Sequence, residues 1–183
     1  MEGMHEVIGW FDLQALLVLR LISARQIANG VQGSVVEIGV HHGKSLAALC
    51  LLNRDLGGGK LVAVDVFEDQ VLNTDASGEG DRAEMERTLE RWCGKDMGRA
   101  ETFSVLAQDS RSVSAQELIA SGGGQRVRLF SVDGSHTAEA TLSDIRLVQR
   151  LSPVPSSFRH LARYPCALRL GGRHLRHLRT AGL

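Results

Sequence analysis

The sequence has few cysteines, no net charge and no long apolar run, and each shortage excludes a class of protein. Its three cysteines, Cys50, Cys93 and Cys166, are too few and too scattered for a disulfide framework or a CxxC metal site, so we expect small buried side chains. Twenty-one basic residues balance twenty-one acidic ones, which leaves no basic field to attract nucleic acid. The longest apolar run, near 13–22, is interrupted by Arg20 and falls short of the roughly 20 residues of a membrane span. No basic segment precedes that run as in a signal peptide, so we expect a cytoplasmic protein without a nucleic-acid or membrane partner.

The charge balance conceals an abrupt change of composition near the C-terminus. Residues 1–150 contain fifteen basic residues and all twenty-one acids, whereas residues 151–183 contain six arginines, no acid and all three prolines. This change divides the chain into a domain, 1–151, and a basic tail, 152–183. The tail is either an ordinary basic extension or a segment that was not selected with the domain, as after truncation or a change of reading frame. An anion or metal site at His174 and His177 is a weaker alternative, because the arginines there are scattered.

Strand and helix patterns alternate through the domain. An N-terminal helix is predicted within 12–29, where Asp12 can cap a helix from 13 to about 28. Four strand and helix pairs follow, and their order implies βαβ units and a parallel α/β sheet flanked by helices. The predicted strands are 34–40, 61–67, 101–106 and 127–133, and the predicted helices after them begin near 44, 81, 114 and 137.

Two glycines and a carboxylate follow the first two predicted strands, where an open parallel sheet binds its ligands. Gly39 and Gly43 would let the backbone approach a ligand closely, and the next helix offers free N–H groups. Asp65 ends the second strand, 22 residues after Gly43, which is about the spacing of a carboxylate that binds ribose hydroxyls. The two signals together favour a ligand that contains adenosine.

Polar residues also follow the third and fourth predicted strands. Asp109 and Ser110 could receive an adenine amino group, although an exposed loop aspartate is an equally ordinary interpretation of Asp109. Asp133 and His136 bring a carboxylate and an imidazole to the place where a substrate would meet the ligand.

Two nucleotide motifs fit the glycine-rich turn less well. The run Gly43-Lys44-Ser45 is similar to the end of a P-loop, but that motif needs a glycine at position 38, which is Ile38. A dinucleotide site needs G-x-G-x-x-G, and the bulky residues between Gly39 and Gly43 would crowd a pyrophosphate. A ligand with ribose and adenine but no phosphate fits better, and S-adenosylmethionine is the commonest such cofactor.

The segments that carry these residues resemble the class I S-adenosylmethionine-dependent methyltransferases, which have a Rossmann-like sheet. The similar stretches are VVEIGVHHGKS at 35–45, LVAVDVFEDQ at 61–70, the loop at 73–81 and LFSVDGSHTAEATLSDI at 129–145. The similarity runs from about 9 to 151. It is strongest to the small-molecule and macrolide-sugar O-methyltransferases of natural-product biosynthesis.

The resemblance implies a role for each residue of the site. The methionine and ribose part of the cofactor would be lined by Glu37, Gly39, Gly43 and Ser45. Asp65 would bind the ribose, and Asp109 with Ser110 would border the adenine. In the metal-dependent sugar O-methyltransferases, the residue matching Asp133 ligates Mg²⁺ and the residue matching His136 is the general base.

The chain departs from that family after the last predicted helix. The family continues with a Pro-Gly-Gly turn, a fifth hydrophobic strand and usually an Asp-Asp pair that completes the metal site, but here no acid follows Asp144. Asp133 alone cannot hold Mg²⁺ in a conventional protein site, so the magnesium site is expected to be incomplete. The sheet is expected to be incomplete at its C-terminal side as well, which would leave the fourth strand as an apolar edge through which copies could associate. Residues 166–170 could pair there, although Arg169 makes them a poor match.

The sequence therefore predicts an S-adenosylmethionine-dependent O-methyltransferase that acts on a small molecule. The expected acceptor is a sugar hydroxyl of a glycosylated natural product, and loss of the C-terminal part would leave such an enzyme inactive. Two alternatives stay open, a non-catalytic nucleoside-binding or assembly module and an NAD-binding Rossmann protein.

Overall fold

The computed structural model describes residues 4–56, 58–73, 75–98, 101–151 and 167–168, and within them strands and helices alternate as predicted. The strands are β1 Ser34–Ile38, β2 Leu61–Asp65, β3 Phe103–Ala107, β4 Val127–Val132 and β5 Ala167–Leu168. The helices are α1 Leu13–Ala28, α2 Lys44–Asp55, α3 Arg82–Cys93, α4 Ala115–Ser121 and α5 Ala138–Leu151. The prediction of a parallel α/β sheet flanked by helices is confirmed, since every strand pair is parallel.

Local signals in the sequence account for where the helices begin. Asp12 accepts a hydrogen bond from the Gln14 N–H at 2.8 Å and so caps α1 as predicted. Ser114 and Glu117 form a complete capping box at the start of α4, because each side chain accepts from the other's backbone N–H.

The first two strands end two residues earlier than the sequence predicted. The reason at β2 is a turn in which the Asp65 carboxylate accepts a hydrogen bond from the Phe67 N–H at 2.7 Å, and Phe67 takes a positive φ of 46°. At β1, Gly39 has a φ of 81°, which is outside the strand region.

The apolar core lies in two layers, one on each face of the sheet. Adjacent residues of β1 point to opposite layers, since Val35 packs with α1, α2 and α3 and Val36 packs with α4 and α5. All residues of β1 and β4 are buried, as expected for parallel strands that are covered on both faces. Among the described helices, none has both the length and the apolar character needed to cross a membrane.

The far edge of β4 differs from the prediction of an unpaired strand. Ala167 and Leu168 of β5 pair in parallel with Phe130 and Ser131 of β4. Arg169 made this segment a poor match for a strand in the sequence, but the pairing of Ala167 and Leu168 uses their backbone and does not depend on the side chain that follows. The rest of the predicted tail lies outside the described residues.

The strand order β3-β2-β1-β4-β5 determines where a ligand can enter. The chain passes from β1 to β2 and β3 on one side, then returns to the other side of β1 to form β4. In such sheets the loops after the two strands at the reversal point diverge and leave a crevice at their carboxyl ends. The crevice here lies beyond the ends of β1 and β4.

Candidate functional site

A cavity of about 460 Å³ lies at the carboxyl ends of the strands. Its walls come from the turns after β1, β2, β3 and β4, from residues 8–10 and from the loop between β2 and α3. Seven of the residues singled out in the sequence line it, namely Gly39, Ser45, Asp65, Asp109, Ser110, Asp133 and His136. Glu37 and Gly43 are not among the lining residues.

Gly39 is required by the chain itself where β1 meets β4. A Cβ built at this position would lie 2.1 Å from the carbonyl oxygen of Asp133 and 2.5 Å from the nitrogen of Gly134. The sequence interpretation assigned this glycine to close approach of a ligand. In the structure, the absence of a side chain at Gly39 allows the ends of β1 and β4, which form the cavity floor, to approach each other closely.

Gly43 has a comparable packing role at the start of α2. It has a positive φ of 80°, and a Cβ there would lie 3.0 Å from Cγ of Met85 on α3. Its contact with α3 explains why it lies beside the cavity without lining it.

Asp65 organises the turn after β1. Its Oδ2 accepts hydrogen bonds from the backbone N–H groups of Val40 at 2.5 Å and His41 at 2.9 Å, while Oδ1 accepts from Phe67 at 2.7 Å. A carboxylate has about four acceptor positions, so three of them are used within the chain. The position that remains is on Oδ1.

Glu37 is a fully buried carboxyl in β1, next to the cavity. The Ser131 hydroxyl donates a hydrogen bond to its Oε1 at 3.1 Å. Burial raises the pKa of Glu37 to about 8, the Ser45 and Ser131 hydroxyls oppose that rise, and the charge of Asp133 adds to it. Glu37 is therefore largely protonated in the folded protein at neutral pH.

Glu37→Gln should remove a pH dependence of stability. The folded chain keeps the Glu37 proton up to about pH 8, whereas the unfolded chain releases it near the usual pKa of 4.5, so the free energy of unfolding falls as pH rises between these values. The loss is at most about 1.4 kcal/mol per pH unit. Glutamine cannot ionise and can still accept the Ser131 hydrogen bond, so we expect the variant to gain on wild type steadily between about pH 5 and about pH 8. Urea unfolding at both pH values measures this gain, and a constant difference would show that Glu37 does not retain its proton.

Asp75 connects the loop after β2 to the loop after β4, and sequence reasoning missed it. Its Oδ2 accepts from the Ser135 hydroxyl at 2.9 Å and from the His136 N–H at 2.5 Å. Although burial opposes ionisation, these hydrogen bonds and one from Ser77 lower the pKa of Asp75. The charged Asp75 thus fixes the backbone that carries His136.

The long loop from 68 to 81 is held in shape by its own side chains. Asn73 accepts a hydrogen bond from the Ser77 N–H at 3.1 Å and donates one to the Gly78 carbonyl at 2.7 Å. These bonds present Asp75 toward the β4 end, so the loop completes one wall of the cavity.

Asp133 and His136 lie on the same short segment after β4. Asp133 is half-buried, and its backbone N–H donates to the Ile38 carbonyl at 2.7 Å. The His136 side chain is exposed at the rim of the cavity. Within the described ranges, no three His, Cys, Asp or Glu side chains come together to form a metal site. Mg²⁺ usually takes several oxygen ligands, so the described residues on their own do not build a magnesium site around Asp133.

Asp109 is paired within its own turn. The Arg111 guanidinium donates to its two oxygens, with the shortest contact at 2.6 Å, and holds the pKa of Asp109 below its usual range. Ser110, which follows it, also lines the cavity. An adenine amino group at this wall would therefore meet a carboxylate that already has a cationic partner.

The N-terminal segment closes the remaining wall, which the sequence did not predict. The Trp10 ring lies 5.7 Å from the His41 ring, and Lys44 Nζ donates to the Gly9 carbonyl at 2.9 Å. Burial lowers the pKa of His41, and the charge of His42 acts in the same direction. The one sequence signal for this wall is the cluster of large residues at 40–42, which in the sequence only indicates crowding against a pyrophosphate.

Comparison with known proteins agrees with this geometry. Residues 36–155, more than half of the chain, match the family described as "Methyltransferase domain". No curated protein matches the chain. Several solved structures share its fold, and two of them are of CalS11.

The first is the apo structure of CalS11, TDP-rhamnose 3'-O-methyltransferase, an enzyme in calicheamicin biosynthesis. It superposes with a TM-score of 0.55 at 19% identity, over 76% of this chain and 58% of that chain. The second, CalS11 calicheamicin methyltransferase, gives a TM-score of 0.55 at 16% identity, over 76% and 60%. The present chain thus spans about three fifths of the length of these neighbours, whose likeness at this identity shows the fold. The family match together with the parallel sheet and its cavity shows that the chain belongs to the S-adenosylmethionine-dependent methyltransferase family.

Proposed function

We propose that this chain binds S-adenosylmethionine in the cavity and methylates a hydroxyl group of a small-molecule sugar at the rim. The observation that carries the proposal is one continuous cavity with Asp65 at the end of β2 and His136 after β4. Its volume of about 460 Å³ is within the usual range for small-ligand sites. Family membership favours this cofactor over NAD.

The inner wall of the cavity, formed by Gly39, Ser45, Asp65, Asp109 and Ser110, suits the nucleoside. Since three acceptor positions of Asp65 are used by backbone N–H groups, we expect it to bind one ribose hydroxyl directly through Oδ1 instead of both. Ser110 and the Asp109–Arg111 pair would border the adenine. Gly39 would pass beneath the ribose, and Ser45, which is buried, would border the methionine part.

The residues at the rim suit proton transfer. When bound, the cofactor supplies a methyl group on an electrophilic sulfonium centre. The His136 imidazole takes the proton of the sugar hydroxyl as that oxygen bonds to the methyl carbon. The carbon–sulfur bond breaks in the same step and leaves S-adenosylhomocysteine. Asp75 holds the His136 backbone in place, and Asp133 accepts a hydrogen bond from a neighbouring sugar hydroxyl. Most of the protein's contribution is then alignment of the two reactants.

The sugar acceptor is supported by two observations of different kinds. The same cavity is lined by the Asp133 carboxylate and the His136 imidazole, a pair that suits a diol better than an isolated hydroxyl. The solved structures that share the fold include a methyltransferase acting on a TDP-sugar. A glycosylated natural product is accordingly the acceptor class that we propose.

His136→Gln should separate binding from catalysis. We expect cofactor affinity within about twofold of wild type and a loss of methyl transfer of about 10²-fold or more, because general-base catalysis typically contributes that much. Transfer of labelled methyl groups to a panel of nucleotide sugars and glycosides measures the rate, and calorimetry measures affinity. His5→Gln, which changes an exposed histidine that does not line the cavity, is the control and should leave both unchanged. Equal rates for wild type and His136→Gln would refute the role of His136 as base. Cofactor binding without transfer to any acceptor would favour the non-catalytic module.

A further inference from the structure

Lys44 lies in the cavity wall with most of its hydrogen-bonding capacity unused. It is the first residue of α2, its side chain packs along Gly9, and Nζ donates to the Gly9 carbonyl at 2.9 Å. A lysine ammonium has three N–H donors, so two remain for a ligand.

The charges of the cavity single out this lysine. The described lining residues include four aspartates, Asp65, Asp75, Asp109 and Asp133, and, besides histidine, two basic residues, Lys44 and Arg111. Arg111 is already engaged by Asp109 at 2.6 Å. No carboxylate of a described residue is within ion-pair distance of Lys44 Nζ, which donates its hydrogen bond to a neutral carbonyl. An anionic group that enters the cavity therefore has Lys44 as its one uncompensated cation among the described residues.

The N-terminus of α2 adds to the positive electrostatic potential around Lys44. Gly43 occupies the N-cap position and supplies no side-chain hydrogen bond to the helix, so the first N–H groups of α2 have no side-chain cap. The positive end of the helix dipole adds to the charge of Lys44, which follows directly.

We propose that Lys44 binds the carboxylate of the amino-acid part of S-adenosylmethionine. This inference rests on the proposed function, because it takes that cofactor as the ligand. The cofactor carries one anionic group and two cationic ones, the ammonium and the sulfonium. The four aspartates repel the first and attract the other two, so the carboxylate lies against Lys44 and residues 8–10. The adenosine then extends toward Asp65 and Asp109, which agrees with the assignment of the inner wall.

Two ligands that differ only in the carboxylate test this assignment. S-adenosylmethionine and its decarboxylated form share the nucleoside, the sulfonium and the ammonium. We expect wild type to bind the complete cofactor at least about tenfold more tightly, because a hydrogen-bonded charge pair is lost without the carboxylate. Lys44→Met should weaken the complete cofactor by about tenfold and leave the decarboxylated form within about twofold, which abolishes the discrimination. Lys44→Arg should restore it, and Lys95→Met, at an exposed lysine that does not line the cavity, should have no effect.

The experiment distinguishes failure of the Lys44 assignment from failure of the proposed function. Equal wild-type affinity for the two ligands, or an equal loss of both in Lys44→Met, would overturn the role of Lys44 while leaving the proposed function intact. Failure of wild type to bind either ligand would instead refute the proposed function. If Lys44→Met does not fold, Lys44→Gln retains a donor for the Gly9 carbonyl and takes its place. The wild-type comparison tests the inference in any case.

Discussion

Gly39→Ala is expected to lower the free energy of unfolding by about 3–5 kcal/mol, a loss large enough to unfold many single domains. One part of the cost is conformational, because φ is +81° and an L-residue there costs about 1–2 kcal/mol. The larger part is steric, since the new Cβ would lie 2.1 Å from the carbonyl oxygen of Asp133. That oxygen belongs to the backbone and cannot rotate away. Relief would require the ends of β1 and β4 to separate, which would break the hydrogen bond of 2.7 Å from the Asp133 N–H to Ile38.

A matched variant isolates the steric part. Gly124 has a similar φ of +76°, and a Cβ there would meet no atom within 4 Å. Gly124→Ala should therefore cost only the conformational part, about 1–2 kcal/mol. Urea unfolding of the two variants beside wild type gives the comparison. Equal destabilisation would show that the two strand ends are not in contact at Gly39, and the geometry of the cavity floor would have to be revised.

Asp65→Ala is expected to weaken S-adenosylmethionine binding by about 1–3 kcal/mol, or roughly fivefold to 150-fold. The variant loses the acceptor for a ribose hydroxyl and also leaves the backbone N–H groups of Val40, His41 and Phe67 without their partner. The second loss should loosen the turn after β1 and lower the free energy of unfolding by about 2–4 kcal/mol. We therefore expect Asp65 to serve both the fold and the ligand.

Two further variants distinguish these contributions. Asp65→Asn keeps one acceptor oxygen but turns an amide N–H₂ toward one of the backbone donors, so we expect a smaller effect on both quantities. Asp69→Ala removes an exposed carboxylate from the following loop, and no effect on affinity is expected. Calorimetry with each variant measures affinity, and chemical unfolding measures stability. Unchanged affinity in Asp65→Ala would refute the assignment of the ribose to this residue.

The fold was predictable because its signals are local. Buried strands such as β1 are short apolar runs, and the helix starts at Asp12 and Ser114 carry side chains that cap within three residues. The grouping of Asp65, Asp133 and His136 was also predictable, since parallel strands bring their carboxyl ends together whatever lies between them. The two-residue β5 had no comparable signal.

The remainder of the site depends on contacts between distant residues. Asp75 lies 61 positions before His136, and Lys44 lies 35 positions after Gly9. Neither pair has a spacing that a single sequence can reveal. The role of Asp65 in holding the turn after β1 could not be predicted either. Its partners are backbone N–H groups, which nearly every residue type has, so the sequence does not show which of them donate to Asp65.

The most direct test of where the nucleoside binds is a crystal structure of this chain with S-adenosylhomocysteine bound. We expect a ribose hydroxyl at hydrogen-bond distance, about 3 Å, from Oδ1 of Asp65, and the adenine beside Ser110. A nucleoside bound elsewhere, or an Asp65 carboxylate with no contact to the ribose, would contradict this expectation.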